Sequence, residues 1–331
     1  MTSALIIGKF MPPTLGHQLL IDFARCYPEI TELHVIVCTQ PGEPIDGHDR
    51  FTALAEHYDN CPITFVYHLN KTMPQLPEDA PDFWEQWVQV LRRWEGCDYL
   101  FAGEAYGAEL AEHLGMTFIP FTREINKVRG TVVRFDPVYS WNQIIPEMRQ
   151  KMVKTVTILG AESTGKTSIA QLLQTPYTEV TPEYARGYLD IKGADLTIEK
   201  IYQIADGQYA MDTAVKMTAR TPFIIRDTDL ITTYGWMKFF YPTMINDKTF
   251  MNKFCSRAEE TVADLYLITR DDIPFEPDAQ RYGGDKRQTD RQYWIDICKE
   301  AGCEYQLLRT AGKDAAMEVE RILGEFYGSG I

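Results

Sequence analysis

Short apolar runs alternate along nearly the whole chain with segments in which apolar residues recur every three or four positions. Runs of four to six apolar residues bounded by turn signals read as strands buried on both faces, and the three-to-four spacing reads as helices. In the first half, 3–8, 33–38, 63–67, 99–102 and 118–121 are expected strands. Between them the spacing predicts helices from about Leu19, over 49–58, over 82–94 with Trp84, Trp87 and Trp94, and over 105–114. In the second half the expected strands are 156–159, 178–181, 223–226, 263–268 and 304–308. The helices there are 167–174, 197–219, 230–240, 248–261, 288–301 and 312–327.

Strands alternating with helices predict parallel, doubly wound sheets, in the α/β class. Right-handed crossovers place the carboxyl ends of all strands on one edge, and ligands bind there. The pattern restarts at Val156 after a polar, helix-like stretch over 141–154. The expected domains are therefore 1–150 and 151–331, each doubly wound, with no internal repeat. A chain of 331 residues suits two domains of ~100–200 residues each.

Composition narrows the partners. A net charge of −14 disfavours nucleic acid as the main partner. Small anions remain suitable, because loop amides and a few cations can hold a phosphate on an acidic protein. No apolar run reaches the ~18 residues of a membrane span, and the N-terminus has neither the length nor the basic leader of a signal peptide. The seven cysteines form no Cys-x-x-Cys pair, so a reducing, cytoplasmic setting is the simplest expectation.

Two loops carry candidate chemistry, each between an apolar run and a helix. The second, Gly160-Ala161-Glu162-Ser163-Thr164-Gly165-Lys166-Thr167, fits Gly-x-x-x-x-Gly-Lys-[Ser/Thr] in the strand-to-helix context that the motif requires. Its backbone can wrap the β- and γ-phosphates of ATP, Lys166 can neutralise them, and Thr167 can ligate Mg²⁺. Asp227 and Asp229 follow the strand 223–226 at the same edge. Asp229 suits a cap for the next helix, which leaves Asp227 as the candidate metal ligand or base. Glu183 and Arg186, a turn apart, suit either a polar acceptor or a surface ion pair. Arg281, Lys286, Arg287 and Arg291 form a Gly-hinged basic segment that can close over ATP or lie as a solvated face.

The first loop is Gly8-Lys9-Phe10-Met11-Pro12-Pro13-Thr14-Leu15-Gly16-His17. It resembles the [His/Thr]-x-Gly-His motif of the cytidylyl/adenylyltransferase superfamily. That reaction is in-line attack of a phosphate on the α-phosphorus of ATP. A helix N-terminus and an imidazole donor can stabilise its transition state. The superfamily's second phosphate-binding piece is matched by 128–134, with Thr131 and Arg134 in place. Arg129 stands where a serine is expected, and Thr14 where many members carry His.

Taken together, the loops and their order resemble the bifunctional nicotinamide mononucleotide adenylyltransferase / ribosylnicotinamide kinase family of the NadR type. Matching stretches include 32–37, Asp49-Arg50, Trp84 with Trp87, Glu183-Tyr184-Ala185-Arg186, 227–233 and 278–281. Gly-x-Glu-Ser-x-Gly-Lys is more particular to the family than the generic loop pattern. Some members carry an N-terminal helix-turn-helix repressor domain; this sequence opens at the first strand, so a member without it is expected. The resemblance implies that the kinase makes the mononucleotide from nicotinamide riboside and ATP, and that the adenylyltransferase converts it to NAD. It implies Mg²⁺ and ATP as cofactor and co-substrate and small-molecule partners only, and it leaves room for a homo-oligomer. It also implies Gly8, Lys9, Phe10 and Gly16 at the first ATP, Gly160 to Thr167 with Arg281 and Arg287 at the second, and Asp49, Arg50, Glu183 and Arg186 at substrates. An aromatic stacks on nicotinamide in each family site. Trp87 is the candidate in the first, although core packing explains Trp84 and Trp87 equally well, and Phe275 is the candidate in the second. Two other readings stay open: a kinase whose first domain senses nucleotide with little turnover, and a bifunctional coenzyme A enzyme. A non-enzymatic regulator is disfavoured by the charge.

Overall fold

The computed structural model describes residues 2–74, 77–122, 124–125, 129–193, 195–275 and 287–328. The chain divides into two compact units, one ending at Lys151 and the other beginning at Met152.

The first unit is a five-stranded sheet of β1 (Thr2–Gly8), β2 (Ile30–Thr39), β3 (Ile63–Leu69), β4 (Tyr99–Ala102) and β5 (Thr117–Pro120). The spatial order is β3-β2-β1-β4-β5, with every pair parallel. The order in which successive strands are added reverses at β1, outward to β2 and β3 on one side and to β4 and β5 on the other, so a ligand crevice is expected between the carboxyl ends of β1 and β4. The helices are α1 (Leu15–Cys26), α2 (Gly47–His57), α3 (Phe83–Leu91), α4 (Tyr106–Leu114), α5 (Gly130–Phe135) and α6 (Pro146–Met152). Leu5, Ile7, Ile36, Leu100, Leu110 and Leu114 pack into one core with Leu91 and Trp94.

The second unit repeats the class with β6 (Lys154–Leu159), β7 (Thr178–Thr181), β8 (Phe223–Arg226), β9 (Leu265–Ile268) and β10 (Tyr305–Leu307), in the order β10-β9-β6-β8-β7. All of these pairs are parallel too. Its helices are α7 (Lys166–Leu172), α8 (Tyr184–Lys192), α9 (Ile198–Thr218), α10 (Leu230–Phe240), α11 (Lys248–Thr261), α12 (Arg291–Glu300) and α13 (Gly312–Gly328). The core gathers Leu159, Leu230, Phe254, Tyr266, Ile268 and Ile297 around the fully buried Trp294. Truncating such a side chain to Ala costs about 3–5 kcal/mol. Among the described residues, no helix is long and apolar enough to cross a membrane.

The differences from the sequence pattern have local causes. The helix expected over 141–154 is a single 3-10 turn at Trp141–Gln143 followed by α6. Ile144 is extended (φ −88°, ψ 140°), and Pro146 opens α6 at the position where a missing N–H costs nothing. The helix expected from 288 starts at Arg291, because the Asp290 carboxylate accepts the Tyr293 N–H at 2.8 Å and sets the cap there. The strand expected from 263 starts at Leu265. Asp264 instead turns its carboxylate onto the Thr155 N–H at 2.8 Å.

Candidate functional site

Both phosphate loops lie at the carboxyl edge of their own sheets, each directly after a unit's first strand. Their interiors differ.

In the second unit, the loop from Gly160 turns sharply into α7. Gly160 has φ +152°, and a Cβ there would lie 2.0 Å from Thr269 Oγ1, so only glycine fits. The Thr269 hydroxyl donates to Thr164 Oγ1 at 2.7 Å, and Thr164 in turn donates to the Ala161 carbonyl at 2.8 Å. Lys166 Nζ reaches across the loop mouth to the Gly160 and Ala161 carbonyls, at 3.0 and 2.9 Å. Thr167, in the first turn of α7, donates its hydroxyl to Asp227 Oδ2 at 2.6 Å. Asp227 is 3% exposed, and its other oxygen has no partner among the described residues. A buried carboxylate with an unused lone pair beside a loop hydroxyl fits Mg²⁺. Asp229 is the cap of α10. It accepts the Thr232 N–H at 3.0 Å and the Thr232 hydroxyl at 3.2 Å on one oxygen, and the Tyr266 hydroxyl at 2.6 Å and the Thr157 hydroxyl at 3.1 Å on the other, and those four bonds fill its capacity.

Beside this loop opens a cavity of about 220 Å³. Loop residues 162–168 form one wall, including Glu162, Ser163, Thr164 and Gly165. Glu183, Arg186 and Leu189 come from the start of α8, Ile204 and Gln208 from α9, and Thr232, Trp236 and Phe240 from α10. The Trp236 and Phe240 rings stack at 5.7 Å. Glu183 and Arg186 pair at 3.6 Å. Desolvation by the cavity walls raises the Glu183 carboxyl pKa, and Asp227 adds to the rise against the pull of Lys166 and Arg186. Sequence reasoning placed Glu183 and Arg186 here but missed Gln208, Trp236 and Phe240. Phe275 is half-buried, and it is not among the residues lining the cavity.

The basic segment divides. Arg281 and Lys286 lie outside the described residues. Arg287 is bound to backbone: Nε donates to the Glu162 carbonyl at 2.9 Å, one terminal nitrogen to Ser163 at 2.9 Å, and the other to Asp271 at 2.7 Å. Thr289 donates to the Glu162 carboxylate at 3.1 Å. Arg291 reaches the carbonyls of Ile268 and Leu308, at 3.1 and 2.6 Å. In this arrangement Arg287 and Arg291 brace the loop and the ends of β9 and β10, in place of the solvated face allowed by the sequence.

In the first unit, Thr14 is the cap of α1 and is buried. Its Oγ1 accepts the His17 N–H at 3.4 Å and lies 2.9 Å from His17 Nδ1, which also accepts the Thr14 N–H at 3.1 Å. An Nδ1 that accepts a backbone N–H leaves the neutral ring's proton on Nε2, where it can donate outward. Phe10 is buried with φ +48° and meets the His17 ring edge-on at 5.1 Å. Lys9 pairs with Glu43 at 3.1 Å. Burial works against ionisation of Glu43, but the Gln40 N–H, Arg50 and Lys9 outweigh it, and its pKa lies below the usual carboxylate value.

Arg50 is expected from the resemblance at a substrate, yet it is 0% exposed. Its guanidinium donates to the Lys9 carbonyl at 2.5 Å, to the Asp46 carbonyl at 3.2 Å and to Glu43. It therefore stands behind the loop and fixes its course. Asp49 sits in the first turn of α2, where its N–H is held by the Asp46 cap at 3.1 Å. Arg134 of α5 donates to the Met11 carbonyl, which ties α5 to the loop, while Thr131 is exposed. Gly8 and Gly16 flank the turn, at the end of β1 and the start of α1. Trp87 is half-buried and donates its indole N–H to Pro74 at 3.1 Å, and Trp84 stacks on His113 at 5.4 Å. Both also pack against the core, so the structural role anticipated for them is real.

Among the described residues, no three His, Cys, Asp or Glu side chains gather as a metal cluster. A family model described as an AAA domain matches residues 155–314. The trifunctional NAD biosynthesis/regulator protein NadR of Escherichia coli (strain K12) is 26% identical, over 92% of this chain and 78% of its own length. Its counterpart in Salmonella typhimurium (strain LT2) is 25% identical, over 93% and 79%. A crystal structure of a NadR protein in complex with NR is similar in fold, with a TM-score of 0.67 at 20% identity, covering 94% of this chain and 90% of that one. Another, in complex with NAD and AMP-PNP, has a TM-score of 0.68 at 19% identity and covers 100% and 97%.

Proposed function

We propose that this chain, a homologue of the NadR proteins over 92% of its length, is a bifunctional enzyme of NAD salvage. In this reading the second unit phosphorylates nicotinamide riboside from ATP, and the first transfers the adenylyl group of ATP to the resulting mononucleotide. The observation that carries it is the cavity, which joins a phosphate loop and the Glu183–Arg186 ion pair to a wall of stacked aromatics. A nucleoside has the matching parts: a hydroxyl to phosphorylate and a flat ring to stack.

In the kinase, Thr167 and Asp227 would hold Mg²⁺, which neutralises the β- and γ-phosphate oxygens when bound. Lys166 leaves its loop carbonyls for the phosphates. Glu183 lines the cavity, whereas Asp227 is not among its lining residues and is engaged with Thr167. We therefore assign proton acceptance to Glu183. As the acceptor oxygen bonds to the γ-phosphorus and the bond to ADP breaks, the hydroxyl proton passes to its carboxylate. In the adenylyltransferase, a phosphate oxygen of the mononucleotide attacks the α-phosphorus and pyrophosphate leaves. His17 Nε2–H, the start of α1, Lys9 and Arg134 neutralise the charge that spreads over the non-bridging oxygens.

A slower first unit remains a second reading. The Thr14 hydroxyl is spent on the helix cap and on His17, which leaves it little to give a phosphate. Homology along both halves favours nicotinamide over phosphopantetheine as the substrate class. The absence of a long apolar helix among the described residues suits the proposed cytoplasmic setting. The deciding experiment incubates the protein with nicotinamide riboside, ATP and Mg²⁺. Mononucleotide and NAD should both form. Mononucleotide alone supports the second reading, and a failure to form either product overturns both.

A further inference from the structure

Two loops must be held in register for the kinase: the one after β7, which carries Glu183, and the one after β8, which carries Asp227. The strands pair up to Thr181 and Arg226, and the Asp227 N–H adds one bond to the Thr181 carbonyl at 3.0 Å. Past that point the sheet ladder stops. Gln208, in the middle of α9 and 2% exposed, bridges the gap. Its Oε1 accepts the Tyr184 N–H at 3.2 Å and the Thr228 hydroxyl at 3.3 Å. Its Nε2 donates to the Thr228 carbonyl at 3.3 Å and to Asp212 Oδ1 at 3.0 Å. Tyr184 directly follows Glu183, and Thr228 directly follows Asp227.

We propose that Gln208, anchored by Asp212, is a positioning residue of the kinase centre that sets the separation of Glu183 from Asp227. An amide offers two donors and two acceptor sites, and here all four are used, so one orientation alone satisfies it. Asp212 lies one turn further along α9 and is 1% exposed. It stands 3.7 Å from Arg226 Nε, on the residue just before Asp227. The brace therefore grips the β8 loop on both sides of Asp227. Gly207 allows α9 to come close enough: a Cβ there would lie 2.0 Å from the Tyr184 ring. Gln208 borders the cavity, but at 2% exposure with its amide fully bonded it has little surface to offer a ligand. Its effect is on geometry, where a misplacement of about 1 Å can cost about 100-fold in rate.

The proposal rests on the kinase reading above, and the test separates the two. Wild-type protein is assayed with nicotinamide riboside, ATP and Mg²⁺ alongside Gln208→Glu, Gln208→Met and the double variant Gln208→Glu/Asp212→Asn. Gln208→Glu sets two carboxylates against each other, and the double variant restores one amide and one acid. Both single variants should lower kcat of phosphorylation by about 10- to 100-fold, leaving KM for ATP within about twofold. The double variant should regain part of the loss, because the carboxylate repulsion is gone while the Thr228 carbonyl still lacks its donor. Adenylyl transfer to added mononucleotide should not change. A folded Gln208→Met protein with kcat within about twofold of wild type overturns the proposal, as does a double variant with no recovery. Loss of ATP affinity equal to the loss of kcat, or failure of both single variants to fold, makes Gln208 a general stability residue and also overturns it. If wild type phosphorylates no nucleoside, the kinase reading fails first and this proposal falls with it.

Discussion

The two phosphate loops occupy equivalent places in their sheets, yet they spend their polar groups differently. In the Gly160–Thr167 loop, the Thr167 hydroxyl points to Asp227, whose second oxygen is buried and unpartnered among the described residues. That centre keeps acceptor capacity in reserve for a cation. In the Gly8–His17 loop the reserve is smaller. Thr14 is consumed by the helix cap, Arg50 by backbone and Glu43, and His17 Nδ1 by the Thr14 N–H. The neighbouring cations are engaged as well, Lys9 with Glu43 and Arg134 with the Met11 carbonyl, so they must leave those partners to meet a phosphate. The comparison teaches that motif residues of the same type can either face the ligand or hold the loop, and that hydrogen-bond accounting separates the two cases.

The largest expected effect is at Lys166. Lys166→Ala should lower nicotinamide riboside phosphorylation by about 1,000-fold, the upper range for removing one preorganised donor, and leave adenylylation of added mononucleotide unchanged. His17→Ala should do the reverse, with a loss of at least ~100-fold in NAD formation and no change in the kinase. Product assays on both purified variants check the pair. A substitution that destroys both activities in a folded protein would break the two-centre comparison.

The acid side of the kinase rate profile sharpens it next. The Glu183 pKa is raised first by desolvation and then by Asp227. A base must be ionised to accept a proton, so kcat should be full above that raised pKa and fall as pH drops through it. Glu183→Gln should lower kcat by about 100-fold, the low end for losing a general base, and remove this limb, while ATP still binds. An unchanged limb in the variant would return the proton to Asp227.

The sequence made much of this legible. The strand 223–226 and the helices 230–240 and 248–261 are observed at the expected bounds. The signals were a buried run of four and Asp229 as a cap, whose carboxylate takes the Thr232 N–H; Asp247 caps 248–261 in the same way in the structure. The cavity wall was not legible. Helix α10 is apolar around most of its circumference, so nothing in its periodicity separates Trp236 and Phe240, which line the cavity, from Leu230 and Ile231, which are buried in the core. Nor could spacing distinguish an arginine that meets a phosphate from one that meets carbonyls. Arg50 and Arg287 both stand near phosphate loops in the sequence argument, and both turn out to bond the loops' own backbone. Gln208 gave no sign of its role, since apart from Asp212 one turn along α9 its partners come from segments 20 and 24 residues away.

The smallest effect is expected at Thr14, and it tests the accounting most directly. If the hydroxyl acted on substrate phosphate, its loss would appear in kcat alone. The structure gives it two other tasks, capping α1 and orienting the His17 ring. Losing an N-cap threonine costs about 0.5–2 kcal/mol of stability. Losing the hydroxyl contact to Nδ1 leaves the Thr14 N–H still in place, so His17 should keep most of its aim. Thr14→Ala should therefore lower NAD formation by about 10-fold, well short of the loss at His17, with the melting temperature down by a few degrees. Thr14→Ser retains an oxygen at the cap and should recover both. Parallel melting curves and adenylylation rates for the three proteins check this. A rate loss in Thr14→Ala equal to that in His17→Ala, with no change in melting, would show that the hydroxyl serves the phosphate directly, and the contrast between the two loops would then be smaller than the hydrogen bonds indicate.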